Sequence, residues 1–121
     1  MADHASTEIT RHGVTRRWSD AVVHGGVAYF VEVAADPTAA PARQFAQVFE
    51  QAEATLARVG SGLNRLLQVT IVIPFPEDLA EFNRQWDAWI PEGHAPSRAC
   101  LHTQLVNPHY RVELIITAAV E

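Results

Sequence analysis

Residues 66–90, LLQVTIVIPFPEDLAEFNRQWDAWI, decide the fold. The first eight are rich in β-branched side chains, which favour a strand, and the run stops at Pro74. The acids that follow Pro76 are typical of a helix start. Apolar residues then recur on one helical face, at Leu79, Phe82, Trp86, Trp89 and Ile90. The sequence therefore predicts a domain in which strands and amphipathic helices alternate.

Upstream of this stretch, apolar residues fall at 45, 48, 49, 52, 56 and 59, a spacing that predicts a helix over 42–59 ended by Gly60 and Gly62. Three strand-like runs precede it, at 8–14, 19–24 and 27–34. Gly25-Gly26 joins the second and third as a hairpin turn.

Downstream, residues 97–105 and 110–119 are predicted strands, separated by the turn signal Asn107-Pro108. They are therefore expected to form an antiparallel pair. The order β-β-β-α-β-α-β-β predicts an α+β domain with a six-stranded mixed sheet and both helices packed on one face. The other face must be solvated or covered by another subunit.

With the turn centred at Asn107-Pro108, the numbers of opposing residues sum to about 215. The predicted core face then holds Ala99, Leu101, Thr103, Leu105, Val112, Leu114, Ile116 and Ala118. The second face holds Arg98, Cys100, His102, Gln104, Glu113, Ile115 and Thr117. This second face mixes charged, polar and apolar side chains, and such a mixture predicts a subunit interface containing a small polar site.

Composition limits the classes of protein. The chain has 121 residues, 48% of them hydrophobic and 19% charged, as in a globular protein with a short polar tail at 1–7 and one domain over 8–121. No apolar run approaches the roughly 18 residues of a membrane helix, and the N-terminus lacks the features of a signal peptide. The single cysteine, Cys100, excludes an intrachain disulfide, and a cytoplasmic location is expected.

Charge excludes further chemistry. All nine basic residues are arginine, so neither a Schiff-base lysine nor a P-loop lysine is available. The net charge of −5 and the absence of a basic stripe argue against a nucleic-acid partner. His94, His102 and His109 lack metal-ligand spacing. We expect no metal, no cofactor and no membrane partner.

Residues 96–100, PSRAC, followed one strand later by 112–114, VEL, resemble the signature of the reactive-intermediate deaminase family, RidA/YjgF. The resemblance spans about residues 8–119. Supporting positions occur in the family's order at Gln44, Gly60, 68–73, Asp78-Leu79, Phe82-Asn83 and the final strands.

The resemblance implies a chorismate-mutase-like, RidA-type fold assembled as a homotrimer with clefts between subunits. It also implies hydrolysis of enamine and imine intermediates such as 2-aminoacrylate to 2-keto acids and ammonia, without a cofactor. Arg98 matches the arginine that holds the substrate carboxylate, and the backbone of Cys100 matches the group that meets the substrate nitrogen. Glu113 matches the carboxylate that positions water. Trp18 stands where the family has a pocket tyrosine, and Asn83 matches a family asparagine.

The chain departs from the family at Val31-Glu32-Val33, where established deaminases carry a Ser-Gly-Gln-like step. The absent glycine changes how closely a ligand approaches that backbone, and Glu32 adds a carboxylate near the expected site. The pattern is closer to a divergent branch of the family, with Val31, Glu32 and Asn83 as candidate pocket lining.

Structural roles stay open for each candidate. Arg98 could form a salt bridge across an interface, and Glu113 could pair with Arg98, Arg111 or a neighbour's arginine, since an unpaired buried charge is costly. Cys100 is read as a small packed residue rather than a nucleophile, and Trp18 as an ordinary packed aromatic or a pocket wall. We expect a composite site, with Arg98 and Cys100 from one subunit and Glu113 and Trp18 from its neighbour.

Three functions follow. The first is enamine and imine hydrolysis by a homotrimer. The second is a non-catalytic module that binds small carboxylates, which the departure at Val31-Glu32-Val33 favours. The third is an endoribonuclease, against which the net charge of −5 and the missing basic stripe argue.

Overall fold

A computed structural model describes residues 7–121. The predicted tail, 1–7, therefore lies outside the described residues except for Thr7. Six strands and two helices follow along the chain: β1 Thr10–His12, β2 Ala21–His24, β3 Val27–Val33, α1 Pro41–Arg58, β4 Leu66–Val72, α2 Leu79–Trp89, β5 Ser97–Leu101 and β6 Glu113–Ala119. Over this range no helix is both long and apolar enough to cross a membrane.

The strands form one six-stranded mixed sheet in the order β1-β2-β3-β6-β4-β5. The predicted hairpin is present, with His24 paired to Val27 across Gly25 and Gly26. These two glycines have φ angles of 59° and 80°, the left-handed values that a two-residue turn between twisted strands requires. The predicted fold class and the order of elements are thus confirmed.

Both helices pack on one face of the sheet. Helix α1 buries Phe45, Val48, Phe49, Ala52 and Leu56, and helix α2 buries Phe82 and Trp86. Phe82 lies between the helices, with its ring centroid 5.5 Å from that of Phe45 and 5.4 Å from that of Phe49. The apolar spacing of the sequence therefore predicts the buried helical faces, except at Leu79, which is 37% exposed at the start of α2.

The predicted pairing of the last two strands is wrong. Strand β5 pairs in parallel with β4, with Val69 beside Arg98 and Ile71 beside Cys100. Strand β6 lies between β3 and β4 and is antiparallel to both. The segment joining β5 to β6 is therefore a connection that crosses β4, not a tight hairpin turn, and the opposing positions inferred from that turn do not exist.

The predicted faces change with the pairing. Leu114, Ile116 and Ala118 of β6 do face the helices and are buried. Ala99 and Leu101, predicted in the core, are exposed. They lie beside Thr70 and Val72, which alternate with the helix-facing Val69 and Ile71. Arg98 and Cys100 consequently lie on the helix side of the sheet, the reverse of the predicted arrangement.

Gln44 joins three segments at the start of α1. Its side chain is 1% exposed, and its Nε2 lies within 3.1 Å of the carbonyl oxygens of Pro37, Ala39 and His109. Its Oε1 accepts the backbone N–H of Arg111 at 2.9 Å. The amide thus fixes the loop before α1 to the segment that leads into β6.

Replacing Gln44 with alanine should lower the free energy of unfolding by about 2–4 kcal/mol, because buried carbonyl groups lose their donor and a cavity opens. Urea unfolding at fixed protein concentration measures the change. Glu50→Ala is the matched control on the exposed side of α1 and should shift stability by under about 0.5 kcal/mol. Equal effects of the two substitutions would contradict this role for Gln44.

Candidate functional site

Arg98 lies on the edge strand β5, every residue of which is exposed. Its Nη2 donates a hydrogen bond to Oδ1 of Asn83 at 2.5 Å. Its guanidinium carbon lies 4.9 Å from the ring centroid of Trp86 and 5.9 Å from that of Phe82. Helix α2 therefore supplies a neutral hydrogen-bond acceptor and an aromatic surface for a guanidinium at the rim of the domain.

No carboxylate within residues 7–121 lies within ion-pair distance of Arg98. Arg111 differs in this respect, since its Nε and Nη2 donate to the carboxylate of Asp78 at 2.8 and 3.1 Å. The side chain of Asp78 is only 9% exposed, so this pair is largely removed from water. Arg111 is thus neutralised inside the fold, whereas the charge of Arg98 is available to an external anion.

Cys100 lies two residues beyond Arg98 on the same side of the sheet, and its thiol is free and exposed. The carbonyl of Leu101 accepts the N–H of Ile73 and therefore faces β4. Backbone N–H and C=O groups alternate in direction along a strand, so those of Cys100 face outward at the sheet edge. An external polar group can therefore reach the backbone of Cys100.

Glu113 begins β6 between Val33 of β3 and Val72 of β4, on the face opposite the helices. Within residues 7–121 its carboxylate has neither a hydrogen-bond nor an ion-pair partner, so the proposed pairings with Arg98 and Arg111 are absent from this chain. Partial burial raises the pKa of Glu113 above its usual value of 4.5.

Arg98 and Glu113 do not share a face, and that prediction is wrong. Two strand spacings and three residues along the strand separate their backbones, a distance of roughly 14 Å, and their side chains point to opposite sides of the sheet. The predicted oppositions of Arg98 with Thr117 and of Glu113 with His102 are likewise absent. Arg98 and Glu113 of a single chain cannot contact the same small ligand.

Trp18, Val31 and Glu32 meet at a different place, in an open groove of about 770 Å³ beside β3 and α1. Trp18 is 62% exposed on the loop between β1 and β2. A hydrogen bond stabilises this loop: the backbone N–H of Thr15 donates to the carbonyl oxygen of Trp18 at 2.7 Å. The groove therefore has an exposed aromatic side chain at its rim.

Glu32 points toward α1, where it accepts hydrogen bonds from Thr55 Oγ1 at 2.7 Å and from Gln51 Nε2 at 3.2 Å. Burial raises the pKa of Glu32, and the two hydrogen bonds oppose that rise. Strands β6 and β4 separate it from the strand of Arg98. One chain thus carries the predicted site residues in two places. Arg98 and Cys100 lie at the β5 edge, and Trp18, Val31 and Glu32 line the groove. Glu113 lies beside Val33, which also lines the groove.

The sequence reading missed one feature of the site. It assigned Trp86 to the core, and Trp86 is indeed 5% exposed, but its ring also faces the guanidinium of Arg98. The available signal was the three-residue spacing of Asn83 and Trp86, which places both on one side of a helix. Within residues 7–121 no three His, Cys, Asp or Glu side chains are grouped to hold a metal ion.

The family model described as Endoribonuclease L-PSP matches residues 9–120. A RutC family protein of Haemophilus ducreyi is 36% identical, with 93% of this chain and 97% of that protein covered. The RutC family protein YoaB of Escherichia coli is 38% identical, with 93% of this chain and 98% of that protein covered.

Two solved structures have folds similar to that of this chain. An uncharacterised protein from Pseudomonas aeruginosa superposes with a TM-score of 0.91 at 39% identity, covering 94% of this chain and all 100% of that one. A YjgF family member from Neisseria meningitidis gives a TM-score of 0.90 at 35% identity, covering 95% and 97%. Since the family model and these relatives span nearly the whole chain, the chain belongs to the RidA/YjgF family.

Proposed function

We propose that this protein hydrolyses reactive enamine and imine intermediates of the 2-aminoacrylate type to 2-keto acids and ammonia, at clefts between the subunits of a homotrimer. The observation that carries the proposal is Arg98, a guanidinium held between Asn83 and Trp86 with no carboxylate partner among the described residues. A planar fork of N–H donors matches a carboxylate, the group that these substrates share.

The reaction needs little machinery. Arg98 holds the carboxylate, and the outward-facing backbone of Cys100 meets the nitrogen end. An enamine first becomes the imine by gaining a proton at its β-carbon and losing one from nitrogen. Glu113 orients a water molecule whose oxygen bonds to the C=N carbon while one water proton passes to the nitrogen. In the resulting carbinolamine the remaining hydroxyl proton passes to nitrogen, the C–N bond breaks, ammonia leaves, and a 2-keto acid remains. The contribution of the protein is to place the substrate and water together, and no cofactor takes part.

The sheet surface supports a homotrimer. The face opposite the helices carries half-exposed Tyr29, Val31, Leu101 and Ile115, and a second copy would remove these apolar side chains from water. Among residues 7–121 the outer edge of β5 has no strand partner, and it is also available for contact.

The opposite faces of Arg98 and Glu113 support a composite site. If both act on one ligand, they must come from different subunits, with Arg98 and Cys100 from one chain and Glu113 and Trp18 from its neighbour. This separation of faces is the physical reason for proposing a composite site.

A non-catalytic module that binds small carboxylates is the second candidate. The observation that favours it is Val31, which is 51% exposed and lines the groove. Its side chain adds bulk beside a backbone that the family's glycine would leave open. Pyruvate formation from 2-aminoacrylate, generated in situ from serine by a dehydratase, separates the two functions: binding of pyruvate without rate enhancement supports the second.

Arg98→Ala should abolish detectable 2-keto acid binding in calorimetric titrations with pyruvate, a loss of about 2–5 kcal/mol, while the chain still folds. Arg98→Lys should fail too, because an ammonium does not reproduce the planar fork. Arg84→Ala, which removes an exposed arginine of α2 paired with Glu81, is the control and should bind as wild type does. Undiminished affinity in Arg98→Ala would refute the assigned role.

Subunits carrying Arg98→Ala and subunits carrying Glu113→Ala should each form inactive trimers, but coexpression should restore activity. With random mixing, about a quarter of the clefts pair an intact Arg98 with an intact Glu113 from a neighbour. Deaminase rates and light scattering measure the outcome. A monomer at micromolar concentration, or no recovery in trimers that contain both variants, would contradict the composite site.

The deaminase rate should fall as the pH drops through the pKa of Glu113, because the carboxylate is a stronger acceptor than the protonated acid and only the carboxylate can take a proton from the attacking water. Burial raises the pKa of Glu113 in the folded state, so the acidic limb should lie above pH 4.5. Glu113→Gln should lose both the rate and this limb yet retain pyruvate binding. A pH profile unaltered in Glu113→Gln would rule out its role in hydrolysis.

A further inference from the structure

The contacts that orient Arg98, with Asn83, Trp86 and the more distant Phe82, are all uncharged and all come from α2. Asn83 offers an amide oxygen at 2.5 Å from Nη2, and Trp86 offers a ring face 4.9 Å from the guanidinium carbon. Helical residues three positions apart lie on the same side, so one turn of α2 supplies both contacts. Together they fix the guanidinium without adding negative charge beside it.

The aromatic surface is itself fixed. Trp86 is 5% exposed, and its ring centroid lies 6.1 Å from that of Phe82 and 5.9 Å from that of Trp89. A buried ring with aromatic neighbours on several sides has little freedom to rotate. The guanidinium that lies over it is therefore limited to a narrow range of orientations.

Arg111 provides the comparison within the same chain. Its guanidinium carbon lies 3.8 Å from the ring centroid of Phe75, so it too covers an aromatic face. Its polar partner, however, is the carboxylate of Asp78. Arg111 thus forms a closed structural pair, and the neutral amide at Asn83 is the difference that leaves Arg98 able to bind an anion.

We propose that Asn83 and Trp86 are positioning residues that hold the guanidinium of Arg98 in its carboxylate-binding orientation while leaving its charge uncompensated. This inference rests on the proposed function, in which Arg98 binds the substrate carboxylate. It assigns to the buried Trp86 a role in ligand affinity beyond packing, and to Asn83 a requirement for an uncharged side chain. Holding a cation in place before binding increases affinity because less ordering remains to be done when the ligand arrives.

Asn83→Asp tests the requirement for a neutral partner. The introduced carboxylate would form an internal ion pair with Arg98 and compete with the ligand. Pyruvate affinity should fall about 100-fold or more at pH 8. Because pairing with Arg98 lowers the pKa of the introduced carboxyl below the usual aspartate value of about 3.9, the affinity should begin to recover only below about pH 4. Asn83→Ala should lose affinity without this pH dependence. Ala88→Asp, an acid added at an exposed position of α2 that is neither three nor four residues from Asn83 or Trp86, should leave pyruvate binding unchanged.

Trp86 is tested with a conservative rescue. Trp86→Leu should raise KM and the pyruvate Kd by about 5- to 30-fold with little change in kcat, and Trp86→Phe should restore most of the affinity because it keeps an aromatic face. Phe45→Leu is the matched control, because Phe45 packs against Phe82 in the same aromatic core, whereas within residues 7–121 it has no ring contact with Trp86 and no cation–π contact with Arg98. It should reduce stability without changing Kd.

The outcomes separate this inference from the proposed function. If wild type binds no pyruvate, or if Arg98→Ala binds it normally, the proposed function fails. If Arg98→Ala abolishes binding but Asn83→Asp binds as wild type does at pH 8, the positioning role fails alone. If Trp86→Leu does not fold, two measurements still test the positioning role: the pH dependence of pyruvate binding in Asn83→Asp and the pyruvate affinity of Trp86→Phe.

Discussion

The position of β6 between β3 and β4 is the constraint on which the rest of the structure depends. Its residues 114, 116 and 118 form the floor of the core beneath both helices, and its register with both neighbours fixes which side each of their residues faces. Glu113 is thereby fixed on the open face, and β4, with β5 beside it, directs Arg98 to the helix side. A site that uses both residues must be assembled from more than one chain.

Arg98 and Arg111 differ in the charge of their partners. Arg111 pairs with the carboxylate of Asp78, whereas Arg98 contacts only uncharged side chains within residues 7–121. Desolvating Arg111 is offset by a carboxylate in bidentate geometry, so the pair closes the junction that Gln44 also holds. Arg98 stays at the rim, where water can compensate its charge. Asn83 accepts one hydrogen bond from its guanidinium, and within residues 7–121 the remaining N–H groups have no hydrogen-bond partner.

The local sequence pattern predicts the helices and strands, but the predicted pairing of the last two strands is wrong. Features that depend on neighbouring residues can be predicted from the sequence. Examples are the helical spacing of Phe45, Val48 and Leu56 and the turn at Gly25-Gly26. Strand partners are not local. The 24 residues between β4 and β5 contain α2, which is enough for a parallel crossover, whereas the turn signal Asn107-Pro108 wrongly predicts a hairpin. The wrong pairing placed Arg98 on the wrong side of the predicted sheet, since side chains alternate between the two faces with each residue.

Glu113 and Glu32 also reveal a conflict between folding and chemistry. Burial raises the pKa of each above 4.5, so the folded chain binds these protons more tightly than the unfolded chain does. Their contribution to stability therefore grows as the pH falls through the folded pKa values and is unfavourable above them. Thr55 and Gln51 reduce this penalty at Glu32, but within residues 7–121 nothing does so at Glu113. A carboxylate that opposes folding and has no internal partner is better explained by an external water or ligand than by a structural role.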